Sequence, residues 1–267
     1  MVACLALASS TLLATNASAQ INIETVTGKI AEPGFGAGAR SAVAYSAGNV
    51  DFFDVRGEVT TFFATPHADA PEHDALFWFR DRVLVYGSAG YRSSNGEPNA
   101  KEGYGHLRYT RMQWLHFGGE VYGQAQFDEF RLLRRRLVAG VGARSVVINH
   151  KHVTLWLGAG PMYESERRNI PEGAPDPIYM TNYRLNSYAT LLLTFVPDLV
   201  TLVSTTYAQP RFDDFTDLQL LNETRLQIEI TDRLLISSDL NYRLDSQPPA
   251  DVERRDIRLG QSLMLTF

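Results

Sequence analysis

The stretch Leu218-Gln-Leu-Leu-Asn-Glu-Thr-Arg-Leu-Gln-Ile-Glu-Ile230 is the key to the fold. Leu218, Leu220, Asn222, Thr224, Leu226, Ile228 and Ile230 share one parity, and Gln219, Leu221, Glu223, Arg225, Gln227 and Glu229 share the other. Successive side chains of a β-strand point to opposite faces, so this segment makes a ribbon with an oily side and a charged side. A helix would scatter both sets around its axis.

The pattern continues outward from that segment. After a turn at Thr231 and Asp232, Leu234, Ile236, Ser238, Leu240, Tyr242 and Leu244 alternate with Ser237, Asp239, Asn241 and Arg243, which makes a hairpin. Upstream, Leu133, Leu137, Ala139, Val141, Ala143 and Val147 alternate with Arg134, Arg136, Val138, Gly140, Gly142 and Arg144. Beyond a turn near His150, the apolar face Val153, Leu155, Leu157, Ala159, Pro161 and Tyr163 stands opposite Thr154, Trp156, Gly158, Gly160, Met162 and Glu164.

Such segments number about twelve: 34–45, 50–64, 76–91, 103–115, 117–127, 132–147, 152–165, 179–195, 198–208, 216–230, 233–244 and 255–267. Their length and even count fit an all-β fold, a closed antiparallel transmembrane β-barrel over 34–267. Hydrocarbon cannot hydrogen-bond to peptide groups, so a sheet placed in it must close and leave no edge. Each strand then turns its oily parity to lipid and its charged parity to the lumen. Exposing an Arg to lipid at the midplane would cost about 2–4 kcal/mol.

Connections near 116, 150, 197 and 231 are short, whereas Arg92 to Glu102, Glu166 to Ile178, Ala208 to Asp217 and Asp245 to Arg254 are long and rich in Pro, Gly, Asn and Asp. Barrels of this class alternate in that way. Thr65 to Ala75 breaks the alternation as a long connection at the short-turn end, and Ala47 to Asn49 is a short one at the other end. Aromatics gather toward strand ends, with Trp114, Phe117 and Phe195 near short turns and Tyr45, Tyr91, Tyr163, Tyr183, Tyr207 and Tyr242 toward long loops, as interfacial girdles require. The final segment alternates Ile257, Leu259, Leu263, Leu265 and Phe267 with Arg258, Gly260, Ser262, Met264 and Thr266. Its terminal Phe267 resembles the signal by which outer-membrane barrels are recognised for assembly.

At the amino terminus an apolar run, Val2 to Leu13, leads to Ala17, Ser18 and Ala19, so residues 1–19 read as an export signal cleaved before Gln20, although no Lys or Arg precedes the run. Residues 20–33 then form a periplasmic segment. The sole cysteine, Cys4, lies in the signal, which removes disulfides, Cys-based metal sites and thiol nucleophiles from the mature chain. Net charge is −5, and no basic stripe suggests nucleic acid. No run of about 18 apolar residues marks a spanning helix.

The segment from Phe127 to Glu166 carries an acidic-aromatic stretch (Phe127 to Phe130), Arg134 to Arg136 running into Gly140 and Gly142, and a strand with Gly158, Gly160 and Glu164; Tyr45 to Asn49 ends a strand in a Gly-Asn turn. On these features the chain resembles the YdiY-like family of salt-induced outer-membrane proteins, an uncharacterised β-barrel family. That resemblance implies an outer-membrane barrel and adds no reaction or ligand.

Pairing Val147 with Val153 places Arg136 opposite Glu164 and Arg134 opposite Glu166, as cross-strand ion pairs on the lumen face. Glu223, Arg225, Asp239 and Arg243 are further candidates for lumen ion pairs. Arg56, Arg80, Arg108, Arg144, Arg184 and Arg258 fall on the charged parity as well. Chemistry is harder to find. His106 is the one histidine within a strand, beside Arg108 and Thr110, and reads as lumen filler; no serine stands in a nucleophile motif. Asp213, Asp214 and Asp217 crowd one long loop and read as solvated, with divalent bridging to lipopolysaccharide as the sharper alternative. Gly34, Gly36 and Gly38 lack the strand-to-helix context of a phosphate loop.

The expectation is therefore an outer-membrane barrel with a polar, Arg/Glu-lined lumen in a structural or small-pore role. It needs no metal or cofactor, and its partners are outer-membrane lipid, lipopolysaccharide and the barrel-assembly machinery. The alternative is an outer-membrane lipid hydrolase whose site is not recognisable in the sequence.

Overall fold

The structure is a computed structural model that describes residues 33–46, 52–70, 78–129, 132–170, 177–197, 199–231, 234–248 and 253–265. The expected export signal, all but the last residue of the segment 20–33, and Phe267 lie outside the described residues. So do the side chains of Tyr45 and Arg258.

Among the described residues twelve strands follow one another: β1 (Gly34–Ser46), β2 (Phe52–Pro66), β3 (Phe79–Ser94), β4 (Glu97–Trp114), β5 (Phe117–Asp128), β6 (Leu133–His150), β7 (Val153–Arg168), β8 (Tyr179–Val196), β9 (Val200–Pro210), β10 (Leu218–Thr231), β11 (Leu234–Asp245) and β12 (Arg255–Leu265). They form a single sheet in sequence order from β1 to β12, and every neighbouring pair is antiparallel. The alternating segments of the sequence and these strands coincide one for one. The strands run from 11 to 18 residues, each enough to cross a hydrocarbon core that needs about 9–11 when tilted.

The sheet curls, because side chains on one face meet across several strands. Tyr188 on β8 donates to Glu120 on β5 at 2.9 Å, and Arg136 on β6 donates to Gln219 on β10 at 3.1 Å. Cα atoms of β1 and β12, the two edges, come within 8 Å of each other. The concave face carries the charged parity. In β6 Arg136, Val138, Gly140 and Arg144 are buried while Leu137, Ala139, Val141 and Ala143 are exposed; β7 and β10 divide in the same way.

The expected long connection from Arg92 to Glu102 is instead a strand pair. β3 and β4 run on to a two-residue turn at Asn95 and Gly96, with φ of 52° and 79°. Asn-Gly is the pair that accepts positive φ at both central positions of a tight hairpin. The other hairpin end keeps its short turns at Leu115–His116 and Lys151–His152.

The long connection at that turn end has a physical reason. Residues described there fold back over the concavity: His67 is buried, its amide donates to the Trp78 carbonyl at 2.9 Å, and Trp78 is buried at 4% exposure. Trp78 joins Met112, Val146, Trp156, Tyr188, Tyr207 and Leu221 in the main apolar cluster, with Ala70, Phe79, Leu115 and Leu192 packed against it. Trp78 also meets the His116 ring edge-on at 5.0 Å.

Register corrects two placements. β6 and β7 are joined by the Lys151–His152 turn with His150 opposite Val153, and the pairing shifts between Val146 and Ile148. Arg136 therefore lies opposite Glu166, and Val138 lies opposite Glu164. A second shift, between Leu133 and Arg135, bulges the strand at Arg134. A bulge inserts one residue and inverts the parity beyond it, so Leu133 turns inward while Arg134 and Arg135 are exposed. Arg134 thus stands apart from Glu166. Arg80, next to the shift at Pro66, is likewise exposed rather than inward. Tyr207 departs in the opposite sense: β9 turns Val203, Thr205, Tyr207 and Gln209 inward, so this tyrosine is 2% exposed and belongs to the interior.

Candidate functional site

Among the described residues, the interior gathers the buried charged groups. Near the loop end, Arg136 on β6 donates through Nε to Glu164 Oε1 at 2.6 Å and faces Glu166 Oε1 at 3.3 Å. The other oxygen of Glu164 accepts from Arg184 Nε on β8 at 2.8 Å and from Asn182 Nδ2 at 3.1 Å. Arg184 reaches Asp217 Oδ1 at 3.0 Å, and Arg211 reaches Asp217 Oδ2 at 2.9 Å. Arg168 closes the other end on Glu166 at 3.5 Å. Charge alternates along this chain from Arg168 to Arg211, with Glu164 at 0% exposure and Arg136 and Arg184 at 2%.

Such burial is tolerated only where every carboxylate and guanidinium has partners, because an unpaired charge in low dielectric costs several kcal/mol, roughly 3–5 when one partner of a pair is removed. Strand geometry supplies the partners. Arg136 and Glu164 stand on adjacent strands on the same face, offset diagonally by two residues, within reach of long side chains.

At mid-height the filling is aromatic. The Tyr188 hydroxyl donates to Glu120 and accepts from Arg144 Nη1 at 3.2 Å. Arg108 lies 3.6 Å from Glu120 Oε2, and its guanidinium stands 5.5 Å from the ring centre of Tyr122 and 5.7 Å from that of Tyr188. His106 stacks between Tyr104 and Tyr122, and its Nδ1 is 3.3 Å from the Tyr104 hydroxyl. Glycines make room for these rings: a Cβ at Gly158 would sit 2.2 Å from Tyr188 Cε1, and one at Gly140 would sit 2.4 Å from Tyr122 Cζ. Further round, Thr190 and Thr205 share a 2.8 Å hydrogen bond, and Gln209 donates to Asn186 at 2.6 Å.

The remaining expected residues fall on the inner face but apart from this chain. Arg225 pairs with Asp239 across β10 and β11, and Ser237 donates to Asp239 at 3.2 Å. Arg243 is buried opposite Asp256, and Glu223 is half-buried opposite Asn241. At the loop end of β2–β4 lies another group: Asp54 accepts from Arg92 at 2.6 Å and from Arg56 at 3.1 Å. Sequence reasoning missed the partners drawn from distant strands, namely Glu120, Tyr188, Tyr207, Arg184 as the second ligand of Glu164, and Trp78. Alternation assigns these residues a face, and their meeting depends on the curl of the sheet. Among the described residues, no cluster of three or more His, Cys, Asp or Glu is arranged to hold a metal.

The outer face carries Val83, Val85, Leu107, Val121, Val141 and Leu157, all exposed. Aromatics flank them, Trp114, Phe117 and Phe195 toward the turn end and Tyr163, Tyr179 and Tyr183 toward the loop end. Of the three aspartates expected to be solvated, Asp217 is instead buried at 3% exposure on Arg184, because the inner ion-pair chain reaches into this loop, whereas Asp213 is exposed. Asp214 accepts from the Thr216 hydroxyl at 2.6 Å, the Thr216 amide at 3.0 Å and Gln247 Nε2 at 3.0 Å. The Thr216 hydroxyl, followed by Gln247 and the Thr216 amide, holds this carboxyl down at about 2.

No curated protein matches the sequence. Among solved structures, a NanC porin aligns with a TM-score of 0.46 at 10% identity, over 86% of this chain and 99% of that one. The translocator domain of autotransporter NalP from Neisseria meningitidis aligns with a TM-score of 0.40 at 13% identity, over 87% of each chain. The transport unit of autotransporter AIDA-I from Escherichia coli aligns with a TM-score of 0.34 at 11% identity, over 87% of this chain and 89% of that one. A family model described as "Protein of unknown function, DUF481" matches residues 78–267. The match agrees with the resemblance to an uncharacterised family drawn from the sequence. Because it takes in residues 78–267 of the 267, from Trp78 just before β3 onward, the chain belongs to the DUF481 family.

Proposed function

We propose that this chain is a closed outer-membrane β-barrel with a side-chain-filled lumen, a structural element of the membrane that neither conducts nor catalyses. The observation that carries the reading is the burial of the inner face. Leu84, Tyr86, Tyr104, Arg108, Glu164 and Tyr207 are all below 8% exposed, although an open bore would leave its lining wet. Arg108, Glu120, Arg144 and Tyr188 meet across the middle from four different strands. Residues from the long turn-end connection cover the other apolar half with Trp78.

The closeness of β1 and β12 supports closure, and the exposed apolar band between aromatic girdles supports a lipid environment. Outer-membrane lipid, lipopolysaccharide and the barrel-assembly machinery are the partners that this reading calls for. A hydrolase reading gains nothing here, since His106 is 3% exposed and stacked between two tyrosines, away from any lipid at the outer wall.

Recording from planar bilayers after insertion of the folded protein tests the sealed lumen. Wild type is expected to give no current steps, and Tyr188→Ala, which removes the bridge between Glu120 and Arg144, is expected to give small ones. Steady ohmic steps from wild type would overturn the proposal.

A further inference from the structure

The convex face is not uniformly oily. At mid-height on β4–β7 it presents Leu107, Val121, Val141 and Leu157. At the same height on β9–β12 it presents hydroxyls and amides: Ser204, Thr206, Asn222, Thr224, Ser238 and Gln261. Register sets Ser204 opposite Thr224, Thr206 opposite Asn222 and Ser238 opposite Gln261, while across β10 and β11 Thr224 faces Leu240 and Ser238 faces Leu226, so the two polar patches meet on the Thr224–Ser238 diagonal to make one strip.

Asn222 Nδ2 donates to Thr206 Oγ1 at 2.8 Å and to Ser204 Oγ at 3.2 Å. Thr224 Oγ1 donates to Asn222 Oδ1 at 3.1 Å, and the Ser204 and Thr224 hydroxyls are 2.7 Å apart. Ser238 and Gln261 are exposed. Beside them opens a groove of about 430 Å³, lined chiefly by Thr224, Leu226, Ser238, Leu240, Leu259 and Gln261.

Lipid tails offer no hydrogen bonds, so polar side chains at this depth gather against other protein. Resting on the membrane-barrel reading above, we infer that the β9–β12 wall is an in-membrane interface with a second copy of this chain. Copies inserted by one route share one orientation, and a two-fold axis along the membrane normal then sets each height against the same height. A mid-depth polar strip needs a counterpart at mid-depth, and the chain itself supplies one. The strip is also complementary to itself: each hydroxyl and amide both donates and accepts, and none of the six carries a charge that would repel its copy. The groove gives the partner's side chains a place to enter.

The sequence holds a single cysteine, Cys4, so in a Cys4→Ser background single introduced cysteines report cleanly. Ser238→Cys and Leu107→Cys, on opposite walls, are treated with a short bifunctional thiol reagent in outer-membrane vesicles. The expected result is a covalent dimer from Ser238→Cys and none from Leu107→Cys. The same dimer should be lost when Asn222→Leu and Thr224→Leu are added, while the protein still shifts on gels between unheated and heated samples as a folded barrel. The inference is overturned by no dimer from Ser238→Cys, by equal dimer from both sites, by an adduct with the mass of a different protein, or by a dimer that survives the leucine substitutions. Recovery in the soluble fraction, or the absence of any heat-dependent shift, sinks the membrane reading itself; a membrane-bound, heat-shifting monomer sinks only the dimer.

Discussion

At the scale of single residues, Glu164 holds the inner network together. It is fully buried and stands between Arg136 and Arg184, so Glu164→Gln leaves two guanidiniums facing a neutral amide. Losing one partner of a buried pair costs about 3–5 kcal/mol, whereas replacing a whole charged group with apolar residues is often neutral. The urea midpoint of the refolded protein in detergent is therefore expected to fall sharply for Glu164→Gln, and an unchanged midpoint would show that the network is not stabilised through this carboxylate. Asp214 differs, being solvent-facing and held by local hydrogen bonds, first from the Thr216 hydroxyl. Its pKa is depressed in the folded state, so its contribution to tying the β9–β10 and β11–β12 loops is present above the ordinary carboxylate range. That contribution is lost as pH falls through about 2. Carbon NMR of the Asp214 carboxyl is expected to show it ionised at pH 4; a midpoint near 4 would contradict the arrangement.

At the scale of elements, alternation in β10 and β11 was legible residue by residue, because one buried face and one oily face leave a period of two in the sequence. Bulges were not legible. The shift between Val146 and Ile148, which sets Arg136 opposite Glu166, leaves no mark in composition, and the extra residue at Arg134, which turns that side chain outward, is indistinguishable from its neighbours Arg135 and Arg136. Tyr207 escaped for a related reason, since an aromatic near a strand end suits an interfacial girdle as well as a packed interior. The β3–β4 turn was there to be read in Asn95-Gly96 but was hidden by the polar residues around it, which look like loop. Gly96 sits at φ 79°, where an added Cβ costs about 1–2 kcal/mol. Gly96→Ala is expected to speed amide exchange at the hairpin tip without shifting the global unfolding midpoint, because these strand ends project beyond the span a membrane needs. Protection at the tip equal to wild type would mean the turn is held by something else.

At the scale of the whole molecule, the two faces of one curved sheet divide the labour. The inner face gathers charge and aromatic rings from strands far apart in sequence, and packing them there satisfies groups that hydrocarbon could not. The outer face carries an exposed apolar band on β3–β7, which the proposed barrel would turn to lipid, and a polar strip on β9–β12. Membership of the DUF481 family gives no reaction, so what the molecule does must follow from this division. The most direct test is a cysteine scan of β6 from Arg136 to Arg144 in lipid bilayers, each site carrying a fluorophore and quenched by lipids with brominated tails. Strong quenching is predicted at Leu137, Ala139, Val141 and Ala143, with little at Arg136, Val138 and Arg144; Gly140, whose Cβ would meet the Tyr122 ring, is left unlabelled. Uniform quenching, a repeat other than two, or quenching confined to the arginine parity would contradict the account.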